Sequence, residues 1–128
     1  MSNIYIQRLK KLVSHLLTVK EEKFDMAFWK RTNCQTVACA CGHACSIPEF
    51  KKAGLKLEID KVKTENIGDS RKYYKLKYKD STHFTAAAFF FGLDNECTHE
   101  FFNDERYNGV VKPLDVCIRI LQYLKGNA

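Results

Sequence analysis

The hydrophobic period of the chain changes from helical to extended and back again, and this limits the possible folds more than any other feature. Residues 4–19 carry apolar side chains three and four positions apart, the spacing of an amphipathic helix. Residues 55–59 and 74–78 alternate apolar and charged side chains, as half-buried strands do. Helical spacing returns after residue 81. The pattern predicts an α+β fold, a mostly helical single domain with one antiparallel β-hairpin, and 128 residues suit one domain.

Turn and capping residues predict where these elements end. Asn66 and the run Gly-Asp-Ser at residues 68–70 lie between the two alternating segments. Because these residue types favour turns, we expect a hairpin with a long loop. Gly92 is expected to end a helix that Ser81 or Thr82 caps.

Three further helix starts have local signals. The Ser-x-x-Glu pattern at residues 46–49 predicts a capping box that opens a short helix, and Gly54 is expected to end that helix. Asp94 or Asn95 is expected to open the next helix, and Pro113 the last one.

Residues 34–45 contain four of the six cysteines and one of the four histidines. Small, apolar residues favour a helix there, beginning near Asn33. On such a helix Cys41 and Cys45 share a face with Cys34, whereas Cys39 and His43 lie on the other. No pair has the C-x-x-C spacing of a zinc knuckle. We therefore expect no metal and no other cofactor; the alternative is a small zinc-stabilised interaction domain, with Cys41 and Cys45 as ligands beside partners from elsewhere in the chain.

Cys34 is the candidate for a catalytic role. It would lie at the start of that helix, after Lys30 and Arg31, where the helix dipole and the two cations lower the pKa of a thiol. A cysteine-nucleophile hydrolase would also need a histidine as general base, and the sequence assigns none of the four to that role. Packing or capping is the structural alternative for Cys34.

The start of the chain and its hydropathy bear on where the protein works. The first residues lead directly into a charged amphipathic pattern, so we expect no signal peptide and an intracellular, cytoplasmic protein with free thiols. No apolar run approaches the roughly 20 residues of a membrane span, so no membrane association is expected.

Basic and aromatic residues alternate along the predicted hairpin of this chain, whose net charge is +6. We expect its second strand to bind an anion. The candidate binding residues are Arg71, Lys72, Tyr73, Lys75, Lys77 and Lys79. The lysines are expected to be exposed, and Tyr74 and Tyr78 to face the core. A solvated face, on which lysines protect an edge strand from pairing, is the structural alternative.

The chain lacks the sequence motifs of common nucleotide-dependent and hydrolytic enzymes. It has no G-x-G-x-x-G, no G-x-x-x-x-G-K-[ST] and no G-x-S-x-G pattern. Together with the basic hairpin, this predicts a non-enzymatic binding or regulatory module for an anionic partner. That partner is a nucleic acid, a nucleotide or an acidic protein surface.

The order of several residues resembles a pattern found in small uncharacterised proteins of bacteria and phages. The pattern consists of F-x-M-x-x-W from Phe24, C-x-T-x-A-C-x-x-G-x-A from Cys34, and F-F-G-L from Phe90. Cys41 and Cys45 are outside it, and such proteins more often have an aromatic residue at the position of His43. The resemblance implies an intracellular domain of unknown role, encoded by a bacterium or a phage.

Overall fold

A computed structural model describes residues 3–26, 29, 38–66 and 69–127, and for residues 60–66, 69–73 and 127 it describes only the backbone. The α+β prediction is confirmed, with one antiparallel sheet among predominantly helical elements. The helices are α1 (Asn3–Leu16), α2 (Ala40–Ala44), α3 (Pro48–Lys52), α4 (His83–Phe91), α5 (Asn95–Phe102) and α6 (Pro113–Asn127). The strands are β1 (Leu55–Asn66), β2 (Asp69–Tyr78) and β3 (Ser81–Thr82). None of the helices within the described residues is long and apolar enough to cross a membrane.

The prediction of a hairpin is confirmed, but the prediction of a long connection is wrong. β1 and β2 pair from Leu55 opposite Tyr78 to Asn66 opposite Asp69, so the paired strands are separated by only two residues of sequence. Turn-forming residues therefore occupy positions in the strand ladder, because cross-strand pairing outweighs their local preference. β3 extends the hairpin to the order β1-β2-β3, and β1 is an edge strand of this sheet.

Burial falls along the inner face of the hairpin. At its base Leu55, Leu76 and Tyr78 are buried, and the next pair outward still contains the half-buried Leu57. The side chain of Ile59, two residues further along β1, is 50% exposed. The register shifts just beyond Ile59, as it does at a β-bulge. Among the hairpin side chains that the structure describes, those at the base are thus the ones packed on the core.

Aromatic rings of α4 join this base to the helices. The ring centroid of Phe90 lies 4.9 Å from that of Phe50 on α3 and 5.1 Å from that of Tyr78 on β2. Phe91 lies 5.5 Å from Phe102 on α5. Edge-to-face aromatic pairs contribute about 0.5–1.5 kcal/mol each beyond the area that they bury. This cluster therefore holds four elements together at one point.

The two longest helices complete the core. Leu9, Leu12 and Leu16 of α1 are fully buried, and the period seen in the sequence places them on one face. α1 packs against α6, where Val116 and Ile120 are fully buried. The amphipathic pattern at the start of the chain is therefore confirmed as a helix on the core.

The cysteine helix is shorter than predicted. α2 begins at Ala40 rather than near Asn33, which lies outside the described residues. Ala38 instead forms a parallel β-bridge with Phe24. The bridge consists of two hydrogen bonds, from Asp25 N–H to Ala38 O at 3.0 Å and from Ala38 N–H to Lys23 O at 3.2 Å. Pairing with a distant segment thus overrides the helix preference of small residues.

The predicted capping box at the start of α3 is wrong. The N-cap is Ile47, whose apolar side chain cannot accept a hydrogen bond, and the hydroxyl of Ser46 donates instead to His43 O at 2.7 Å. At α4, Ser81 lies in β3, and Thr82 occupies the N-cap position as one of the two predicted candidates, without a side-chain hydrogen bond.

The remaining helix signals are confirmed. Gly92 ends α4 in the left-handed conformation at φ 66°, and Pro113 opens α6. Asp94 caps α5 and accepts a hydrogen bond of 2.7 Å from Cys97 N–H. These signals act within one or two turns of the chain, where no distant segment competes.

Gly42 in α2 is a site where one added methyl group should be costly. A Cβ there would lie 1.8 Å from Trp29 O and 2.6 Å from the Cβ of Ala38. We expect Gly42→Ala to lower the free energy of unfolding by about 1–3 kcal/mol or more, because a backbone atom must move. Urea denaturation measures this.

Gly126→Ala in α6 is the matched control, since no atom lies within 4 Å of its added Cβ. It should leave stability unchanged or slightly raised, because alanine has the higher helix propensity. Equal stability of Gly42→Ala and wild type would contradict this packing of α2.

Candidate anion-binding surface

The net positive charge of the chain comes from one segment. Residues 51–79 contain ten of the 21 basic residues and four of the 15 acidic residues, which gives this segment a net charge of +6. The remainder of the chain has eleven residues of each sign and is neutral. The segment consists of the end of α3 and the hairpin. The whole net charge of the protein therefore lies on neighbouring elements.

On the outer face of the hairpin base, three lysines surround one carboxylate. Lys56 pairs with Lys77, and Glu58 with Lys75, in the strand register. Glu58 lies 3.2 Å from Lys56 Nζ and 3.6 Å from Lys77 Nζ. The pKa of Glu58 is lowered, first by the hydrogen bond from Lys56. Glu58 thus offsets part of the positive charge that Lys56 and Lys77 bring to this face.

The predicted binding residues differ in their exposure. Lys75 and Lys77 are half-buried, so the expectation that both are exposed is wrong, because they pack beside Glu58 and the neighbouring strand. Lys79 is exposed, but it lies in the turn after β2 with φ 53° and not on the strand. Tyr78 is buried as predicted, and Tyr74 is half-buried. The side chains of Arg71, Lys72 and Tyr73 lie outside the part that the structure describes.

A cleft of about 780 Å³ adjoins the hairpin base, between the end of α1, the helices α2 and α3, and β1. Its lining contains four lysines, two histidines and no carboxylate among the described residues. The basic and polar lining residues are His15, Thr18, Lys20, Lys23, His43, Cys45, Ser46, Lys51 and Lys56. We call this space the basic cleft.

Three of these lysines lack counter-charges within the described part of the chain. Lys56 is paired with Glu58, whereas Lys20, Lys23 and Lys51 form no ion pair with any residue that the structure describes. Like charges on one concave surface repel each other, and an anion between them relieves that repulsion. The basic cleft is therefore a place where an anion would be stabilised.

Ser46 and the two histidines form a hydrogen-bonded group at the cleft. The Ser46 hydroxyl donates its proton to His43 O at 2.7 Å, and its oxygen lies 3.2 Å from His15 Nε2. His15 is then the donor in that second bond. A serine nucleophile would instead donate its proton to the histidine. This group therefore positions side chains and does not activate Ser46.

His43 is fixed by contacts on both sides. Its Nε2–H donates to Lys23 O at 2.6 Å, and its ring stacks on Phe24 with centroids 6.2 Å apart. Burial lowers the pKa of His43, with the bond to Lys23 opposing the shift. Burial also lowers the pKa of His15. Both imidazoles are consequently neutral at pH 7 in the free protein.

The described cysteines form neither a thiolate nor a metal centre. Cys39, Cys41 and Cys45 are buried with free thiols, and the Cys39 sulfur accepts a hydrogen bond of 3.4 Å from Gly42 N–H. Burial raises the pKa of Cys39 to about 11 and that of Cys45 to about 12. No group of three or more His, Cys, Asp or Glu side chains among the described residues could hold a metal ion. The zinc alternative on Cys41 and Cys45 thus has no further ligands there, and Cys34 lies outside the described residues.

The basic cleft could not be predicted from the sequence. Its lysines and histidines come from four separate segments, between His15 and Leu57. Neither spacing nor composition joins such segments, since only the packing of α1, α2, α3 and β1 brings them together. The group of lysines that begins at Lys51 is visible in the sequence, but it indicates the charged hairpin and not the cleft.

Comparisons with known proteins add nothing to this picture. No protein-family model, curated protein or solved structure matches the chain. The resemblance to small proteins of bacteria and phages stays a prediction.

The half-buried His43 should make stability depend on pH. Its native pKa is lower than the unfolded value of about 6.5, so the unfolded chain binds more protons between the two values. Stability is therefore complete above about pH 6.5 and falls as the pH drops below it. His43→Gln keeps an N–H donor and should lose less stability between pH 7 and pH 5 than wild type, as measured by urea denaturation at each pH.

His83→Gln provides the comparison, because His83 is exposed. This variant should keep the wild-type difference in stability between the two pH values. A pH dependence unchanged in His43→Gln would show that other groups cause it.

The buried thiols should be unreactive in the folded protein. We expect Cys39, Cys41 and Cys45 to resist iodoacetamide at neutral pH and to react once urea unfolds the chain, because burial keeps them protonated and inaccessible. Peptide mapping after timed labelling identifies each site. Fast labelling of any of the three in the native state would contradict this packing.

Proposed function

We propose that the protein is a non-enzymatic module that binds nucleic acid through lysines at the base of its hairpin. The observation that carries the proposal is the confinement of the entire net charge of +6 to residues 51–79, beside a neutral remainder. Neutralising phosphates with such a surface releases condensed counterions, which is the main source of sequence-independent affinity for nucleic acid.

The type of basic residue supports backbone binding over reading of bases. Nine of the ten basic residues in this segment are lysines, and Arg71 is the tenth. A lysine ammonium acts as a point charge on a flexible stem, which suits phosphates, whereas arginine makes the bidentate contacts that identify guanine. The partner we propose is therefore a nucleic acid bound through its phosphates, without strong sequence preference.

The arrangement of polar groups supports binding over catalysis. The proton of Ser46 is held by a backbone carbonyl, and the buried thiols are protonated. Neither group is activated for attack on a substrate. The hydrolase alternative rests on Cys34 alone and stays a prediction.

A charge-matched pair of variants tests the nucleic-acid surface. Lys52→Gln/Lys77→Gln/Lys79→Gln removes one charge from the end of α3, one from β2 and one from the turn after β2, and glutamine avoids a like-charge contact with Glu58. We expect its affinity for oligo-dT to fall more than tenfold. The slope of log K against log salt should become shallower by about 2, since each phosphate contact in a single strand contributes about 0.7. Fluorescence anisotropy over a salt series measures both quantities.

Lys10→Gln/Lys112→Gln/Lys125→Gln is the control, with the same loss of charge outside the segment. It should keep most of the affinity. Equal losses in both triple variants would show that net charge alone is responsible. Absence of binding by wild type to DNA and RNA at low salt would refute the nucleic-acid proposal and leave an acidic protein as the partner to test.

A further inference from the structure

We infer that the basic cleft is a separate binding site for a small organic phosphate, of the size and chemistry of a mononucleotide. It goes beyond the proposed function, because it needs neither a polymer nor the outer face of the hairpin. Lys20, Lys23 and Lys51 all line this cleft.

The charge of the ligand follows from the lysines. Lys20, Lys23 and Lys51 have no ion-pair partner among the described residues, and no described carboxylate lines the cleft. A phosphate monoester carries a charge of about −1.5 to −2 at pH 7 and has three acceptor oxygens. It can accept from several ammonium groups at once, which a singly charged carboxylate does less well.

The remainder of the ligand follows from the size of the cleft and its apolar wall. A volume of about 780 Å³ lies in the ordinary range for sites of small organic ligands, about 300–1,000 Å³, and greatly exceeds a phosphate ion. The cleft is also lined by the apolar residues Val19, Ala38, Leu55 and Leu57. A flat, partly apolar group such as a nucleobase would cover this surface, so the cleft fits an organic phosphate better than a bare ion.

The rims of the cleft are held in place before any ligand binds. Lys23 O accepts hydrogen bonds from both Ala38 N–H and His43 Nε2–H. These two bonds join the backbone at Lys23 to α2 and to the residue Ala38 that precedes it. The bond between Ser46 and His15 ties α1 to the turn before α3. A site fixed in this way loses little conformational entropy on binding.

The two histidine rings report binding directly, since both line the cleft. Adenosine 5′-monophosphate is the probe, and adenosine and inorganic phosphate are the comparison ligands. Each is titrated to millimolar concentration at low salt while the imidazole resonances of His15 and His43 are followed by NMR; His15→Gln and His43→Gln assign the signals. We expect saturable shifts with the nucleotide, and much weaker binding of adenosine and of phosphate alone.

Lys20→Gln/Lys23→Gln removes two charges from the cleft and none from the hairpin base. It should weaken nucleotide binding about fivefold to tenfold, the effect of two partly exposed charge contacts. Lys52→Gln/Lys79→Gln removes two charges outside the cleft, from the end of α3 and the turn after β2, and should leave nucleotide binding nearly unchanged. Dispersed amide spectra confirm that both variants are folded.

Three results would overturn the inference: no histidine shifts with the nucleotide, equal affinity of the two double variants, or inorganic phosphate binding as tightly as the nucleotide. Each is independent of the nucleic-acid surface, whose test uses oligo-dT and the triple variant. Nucleotide binding without oligo-dT binding, or the reverse, therefore separates the two proposals.

Discussion

The aromatic cluster around α4 is the contact on which the rest of the arrangement depends. Phe90 and Phe91 are fully buried and contact rings from α3, β2 and α5. Arg8 of α1 donates to Phe90 O at 2.7 Å, and its guanidinium lies 4.1 Å from the centre of that ring. The cluster therefore helps to hold α3 and the hairpin on one core, which keeps their lysines close to each other.

This anchoring explains why charge and burial meet at the hairpin base. Leu55 and Leu76 fix the strands to the core, and the pleat then turns Lys56 and Lys77 outward at the same level. Strand alternation alone thus produces a lysine surface on a rigid support. The same strand borders the basic cleft, so both candidate binding regions depend on how β1 is packed.

The parts of the fold that sequence could predict are those set by local chemistry. The alternation over residues 55–59 predicts the strand and its buried side. Helix ends are predicted by Gly92, Asp94 and Pro113, because each of these residues acts through its neighbours in the chain. The predicted start of the cysteine helix was wrong because Ala38 pairs with Phe24, fourteen residues earlier in the chain. Composition contains no information about such a partner.

The candidate sites were predictable to different degrees for the same reason. Clustering of lysines from Lys51 to Lys79 is visible in the sequence, so the charged hairpin could be predicted, although the half-burial of Lys75 and Lys77 could not. The basic cleft requires the relative positions of α1, α2, α3 and β1. Those positions follow from core packing, which no single segment encodes.

The net charge of +6 on residues 51–79, beside a remainder with equal numbers of acidic and basic residues, makes the charge distribution asymmetric along the chain. If the partner is a polyanion, its field would exert a torque as well as an attraction on such a molecule and would turn the charged segment toward the partner before contact. Orientation during approach raises the association rate, whereas the dissociation rate depends on the short-range contacts made afterwards. The charge distribution would therefore control how fast the protein finds an anionic partner, while the shape of the surface controls how long it stays.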